Sequence, residues 1–156
     1  MKKIIGLLFL LGTISFGKSG YEGYWMMPKG KFIIKIDKKA SEEYVGHVVW
    51  LKDFVYPKGD KMEGIEQYDR NNPNKELRVK SRKVMGLKIV GELYEKNGKL
   101  KGGWVYDSWH GKLYHGSAKL VDNDTLKLRG SIDKMGIIGV SQRAKRVENL
   151  EKYNLK

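Results

Sequence analysis

The sequence predicts an all-β fold: a single antiparallel up-and-down barrel of about eight strands, with one long loop and a short C-terminal tail or helix. Three observations carry this. Short stretches rich in Val, Ile, Tyr and Trp recur along the chain, each bounded by Gly, Asn, Asp or Lys turns. Asn97-Gly98 is a strong two-residue hairpin signal. Nineteen glycines against three prolines in 156 residues favour many tight turns over disorder. The length suits one domain with a core of its own.

The elements follow in order. Residues 1–17 read as a secretory signal peptide: Lys2 and Lys3, an apolar stretch from Ile4 to Ile14, then Ser15 and Gly17 at the small-residue positions. That stretch is shorter than the ~20 apolar residues a spanning helix needs. The expected product, 18–156, is therefore exported, to the periplasm or beyond. Strands are predicted at "GKFIIKID", "EEYVGHVVWL", "KVMGLKIVGELYEK", "KLKGGWVYD", "GKLYHGSAKLVD", "TLKLRGSI" and "GIIGVSQRAKR". Gly46, Gly86, Gly91 and Gly116 fall inside these strands, where they suit the bends of a curved sheet. Lys52 to Glu76 is a long polar loop, and "VENLEKYNLK" is the tail.

The ordered set of motifs resembles the secreted bacterial family called domain of unknown function 2147, whose fold is similar to the lipocalins and other calycins. The residues that carry the resemblance are Gly23 and Trp25 of "GYW", the "YVGHVVWLK" run, and Asp69, Asn72 and Pro73 of "DRNNPN". Arg82, Gly86 and Leu87 of "SRKVMGL", the "GGWVYDSWHGKLYHGSAKL" block, "DTLKLRG" and Arg146 of "GVSQRAKR" complete it. Two positions depart from the pattern: Ala144 stands where an aromatic is usual, and Ser108 where a proline is. The resemblance implies a lipocalin-like barrel in which Trp25 closes one end and Arg146 lies across its indole. Such stacking suits Arg better than Lys.

The chemistry of the side chains is sparse. With no cysteine, neither a disulfide framework nor a thiolate zinc site exists. His47, His110 and His115 with Asp107 lack paired metal-ligand spacing, so no metal and no cofactor are expected. Ser108, Asp107 and His110 sit too close together in one tight turn to converge as a triad, and Asp107 is better placed to accept backbone N–H bonds there. An uncharacterised hydrolase is thus disfavoured. Strict alternation puts Trp50, Trp104, Tyr106 and Tyr114 toward the barrel interior, with Arg82 and Asp69 near its mouth. These six residues are the candidate ligand site.

The expected function is non-enzymatic binding of a small hydrophobic or amphipathic ligand inside the barrel. The alternative is a filled barrel that acts as an envelope interaction module through a basic face. The formal charge is +13, and loss of Lys2 and Lys3 with the signal lowers it by two, to +11. Such a surface attracts anionic lipid or glycan. Nucleic acid is not an expected partner of an exported protein, whereas an oligomer is permitted.

Overall fold

The computed structural model describes residues 20–156. The expected signal segment, 1–17, lies outside the described residues. Eight strands form a closed barrel in chain order: β1 (Gly23–Met26), β2 (Phe32–Lys38), β3 (Tyr44–Leu51), β4 (Lys88–Lys96), β5 (Lys99–Asp107), β6 (Lys112–Asp122), β7 (Thr125–Ser131) and β8 (Gly139–Arg146). Every neighbour pair is antiparallel. β8 returns to β1 through two register pairs, Trp25 with Arg146 and Met26 with Lys145.

Local chemistry explains the turns. Asn97 (φ 53°) and Gly98 (φ 70°) both take the left-handed region, as a type I′ hairpin between β4 and β5 demands. Two strands start later than the sequence predicts. β4 begins at Lys88, because Tyr68 bridges to Lys83 and holds residues 83–87 in the long loop, with Gly86 at φ 84°. β8 begins at Gly139, because the Asp133 carboxylate accepts the N–H groups of Ile137 (2.9 Å) and Ile138 (2.6 Å) and folds both into the turn.

Inward positions fill one end of the barrel. Trp25, Ile34, Ile36, Tyr44, Val48, Val90, Leu93, Leu100, Leu126 and Ala144 are all buried there. Trp25 Nε1 donates to the Tyr21 carbonyl (2.9 Å), and Tyr21 Oη donates to the Gly98 carbonyl (2.7 Å). The Arg146 guanidinium lies 4.2 Å from the Trp25 ring centroid. It also donates to the carbonyls of Gly20 (2.6 Å), Asn123 (2.8 Å) and Glu22 (3.1 Å). One side chain thus ties the N-terminal segment, the β6–β7 turn and the floor indole together.

The tail is neither loose nor a regular helix. It forms a 3-10 turn at Glu151–Tyr153 and docks on the outer wall. The Tyr153 ring meets Trp50 edge-on at 5.0 Å, and Tyr24 Oη donates to the Lys156 carbonyl (2.5 Å).

Candidate functional site at the barrel mouth

The inward aromatic cluster expected from strict alternation does not form. Between the Ile33–Trp50 and Ile34–Val48 pairs, β3 carries one extra residue. This bulge reverses the faces beyond it, so Leu51 turns inward and Trp50 turns out toward Tyr153. A second irregularity lies in β5 between Leu100 and Gly103, where Gly102 takes φ 85°. Beyond it Gly103 and Val105 align with Gly116, Tyr114 and Val90 on the inner row. Trp104 and Tyr106 therefore take the other side of the strand, where Tyr106 is still buried within the core cluster and Trp104 packs against it.

Trp104 lies flat on the outer wall over Gly91, where an added Cβ would sit 2.5 Å from the indole. Glycine at that place is what lets a large ring cover the sheet. Lys88 Nζ stands 5.3 Å from the ring centroid. Of the four predicted aromatics, only Tyr114 stays on the inner row, half-buried.

Tyr106 is covered by the long loop, which runs from Lys52 to Leu87 and carries a 3-10 turn at Lys75–Leu77. Its hydroxyl donates to Asp69 Oδ1 at 2.6 Å. Asp69 is fully buried, and its other oxygen accepts from Asn72 Nδ2 (2.7 Å) and Arg82 Nε (2.9 Å). A buried carboxylate is tolerable only with such charge and hydrogen-bond compensation. Burial, then the bond to the carboxylate, pushes the Tyr106 phenol well above its usual range and keeps it a donor. Asp69 thus holds the loop to the barrel, and its oxygens are spent on protein donors.

Other ties in the loop carry no plain sequence signal. Arg70 forms a two-toothed pair with Asp60 (2.6 and 2.7 Å) and stacks on Tyr56 at 3.9 Å. That guanidinium, and then the Met62 amide, holds the Asp60 carboxyl down to about 2. Gln67 joins the loop to the β5–β6 turn by accepting from Trp109 Nε1 (3.1 Å). Asn71 adds a second tie by donating to the Trp109 carbonyl (2.6 Å).

Arg82 remains available in part. Its Nε serves Asp69, while the side chain is 36% exposed. It lines an open depression of about 580 Å³ together with Lys83, Met85, Gly86, Lys88 and Trp104. A second open depression, on the other flank of Trp104, is lined by Tyr114, His115, Leu113 and Ile132. Five of the six candidates are therefore linked at the mouth end: Tyr114 and Trp104 share one depression, Trp104 and Arg82 the other, and Arg82 joins Tyr106 through Asp69. Trp50 lies apart on the tail.

The turn at Asp107 behaves as its residue types predict. Asp107 Oδ1 accepts from the amides of Trp109 (3.0 Å) and His110 (3.2 Å). The His110 ring meets Asp107 Oδ2 at 2.7 Å, while Ser108 Oγ is buried with no partner among the described residues. The three do not form a proton relay. His47 pairs with Lys35 and Lys88 on outward positions, where burial and then the Lys88 charge lower its pKa.

The comparisons with known proteins agree with this architecture. No curated protein matches the chain. Protein HP1028 from the human pathogen Helicobacter pylori, described as belonging to the lipocalin family, superposes with a TM-score of 0.70. The match covers 86% of this chain and 89% of that one at 22% identity, which establishes a shared lipocalin-like fold. The family described as "Uncharacterized protein conserved in bacteria (DUF2147)" matches residues 23–146, the whole span from β1 to the end of β8. With that span matched, the chain belongs to the DUF2147 family.

Proposed function

We propose that the protein is an exported, non-enzymatic binding protein for a small, partly apolar ligand that carries an anionic group. The observation behind this reading is the depression where Arg82 and Lys88 face the indole of Trp104 beside Met85. An aromatic wall flanked by two cations favours an apolar body with a carboxylate or sulfonate end. Export rests on Lys2, Lys3 and the apolar stretch that follows them. The absence of a relay at Ser108 favours binding over hydrolysis.

The test uses 1-anilinonaphthalene-8-sulfonate, whose apolar rings and sulfonate suit this site, with the rise of its own directly excited fluorescence on binding as the signal. Lys88→Gln and Trp104→Leu should each weaken its binding about tenfold. Their thermal midpoints should stay within a few degrees of the parent. Unchanged affinity in both variants would remove the ligand from this depression. Native mass spectrometry of protein purified from cells then reads the mass of any bound molecule.

A second reading has its own observation. Lys119, Lys127 and Arg143 lie side by side across the outer face of β6, β7 and β8. Among the described residues none of the three is ion-paired. Like charges directly opposite on a sheet are mutually destabilising. An anionic lipid or glycan surface would relieve that cost.

A further inference from the structure

The β7–β8 turn presents an apolar tip whose flanking backbone, at Ile132, Asp133 and Gly136 to Ile138, is hydrogen-bonded within the hairpin. Ile132, Met135, Ile137 and Ile138, with Leu113 beside them on β6, are each between 64% and 85% exposed. Scattered apolar residues on a surface need no explanation, but a contiguous patch does. Here Leu113 and Ile132 share one depression, and the other three follow within six residues of the chain.

The hydrogen bonds beneath this tip set it apart from an ordinary loop. The Ile132 amide donates to the Ile138 carbonyl (2.8 Å) and the Gly136 amide to the Asp133 carbonyl (3.2 Å). The amides of Ile137 and Ile138 go to the Asp133 carboxylate, which they hold below its usual pKa range. Arg129 donates to the carbonyls of Gly136 (2.9 Å) and Ile137 (3.0 Å), and Ser131 Oγ donates to the Asp133 carbonyl (2.8 Å). Leaving water costs several kcal/mol for each backbone group without a partner. The amides of Ile132, Gly136, Ile137 and Ile138 and the carbonyls of Asp133, Gly136, Ile137 and Ile138 thus have partners within the hairpin, which lowers the cost of moving this part of the turn into an apolar medium.

Charge identifies the medium. Lys134 stands in the tip, Lys112 at its edge, and the row of Lys119, Lys127 and Arg143 lies about 13 Å along β7 from the base of the turn. Long cationic side chains reach toward headgroups while their stems follow apolar surface. We infer that the β7–β8 turn inserts its apolar tip into the interfacial layer of an anionic lipid bilayer, with the basic row facing the headgroups. This rests on the second reading above for the basic row, and on the tip alone for insertion.

The absence of cysteine allows a direct test on the full chain. Met135→Cys, labelled with the environment-sensitive dye NBD, is mixed with vesicles of phosphatidylglycerol and phosphatidylcholine, and with vesicles of phosphatidylcholine alone. A blue shift and quenching by brominated acyl chains are expected with the anionic vesicles. Ile137→Ser with Ile138→Ser should weaken binding about tenfold or more and leave the melting midpoint unchanged. The apolar stretch at the N-terminus is common to parent and variant, so the difference reports the tip. Vesicle binding with an unshifted dye overturns insertion and leaves the basic-face reading standing. No difference between the two vesicle types overturns both. A dye shift that needs protein concentration and no lipid would assign the tip to a second copy of the chain, and so overturns the inference.

Discussion

Tyr106 shows how one hydroxyl can decide where a loop rests. Its phenol reaches from β5 to the buried Asp69 carboxylate, which also takes Arg82 and Asn72. Tyr106→Phe removes one donor and leaves a buried oxygen short of a partner. We expect a loss of about 1–3 kcal/mol, read as a lower urea midpoint at unchanged slope. The pH dependence has a definite sign. In the unfolded chain a tyrosine ionises near ~10, whereas Tyr106 in the barrel keeps its proton beyond that. Its contribution is complete below that pH and declines as the pH rises through it. The stability gap between parent and Tyr106→Phe should therefore narrow in alkali. A gap that stays constant to pH 11 would contradict the bond.

Among the elements, the two bulged strands govern the site. β3 and β5 each depart from strict alternation at one point, and each departure sends an aromatic residue to the outer wall. Trp50 then needs cover, and the tail supplies it through Tyr153. Ile33, the register partner of Trp50, is fully buried although it faces away from the interior. Tyr153→Ala should cost about 1–3 kcal/mol, from lost apolar burial and the ring pair. It should also shift tryptophan emission to the red. An unchanged stability and an unshifted emission would contradict this packing of the tail on Trp50. The long loop needs no such cover, because Arg70, Asp60, Gln67 and Asn71 tie it to itself and to the β5–β6 turn.

For the molecule as a whole, closure is the decisive event. Only two register pairs join β8 to β1. Arg146 strengthens that short seam by stacking on Trp25 and donating to three carbonyls from two other segments. Arg146→Ala should lower stability by about 2–4 kcal/mol. Arg146→Lys should recover little, since an ammonium lacks the planar fork that stacks and donates at once. Equal stability of the lysine variant and the parent would show that charge alone closes the barrel.

Much of this was legible in the sequence. Alternation and turn residues give seven of the eight strands in order and the long loop, and the family motifs add the first strand at Trp25 and set Trp25 and Arg146 at one end. Turn chemistry at Asn97-Gly98 and Asp107 is local, and local rules suffice for it. What the sequence alone could not fix was the side of the sheet on which Trp50, Trp104 and Tyr106 stand. A side-chain face depends on every residue counted before it, so one inserted residue inverts all that follow. Bulges are set by the pairing of two strands and by the space a partner leaves, as Gly91 leaves for Trp104. The exposure of the β7–β8 tip was likewise a tertiary matter. "GIIGV" has the composition of a buried strand, and Asp133 and Arg129, by holding its backbone, turn it outward instead.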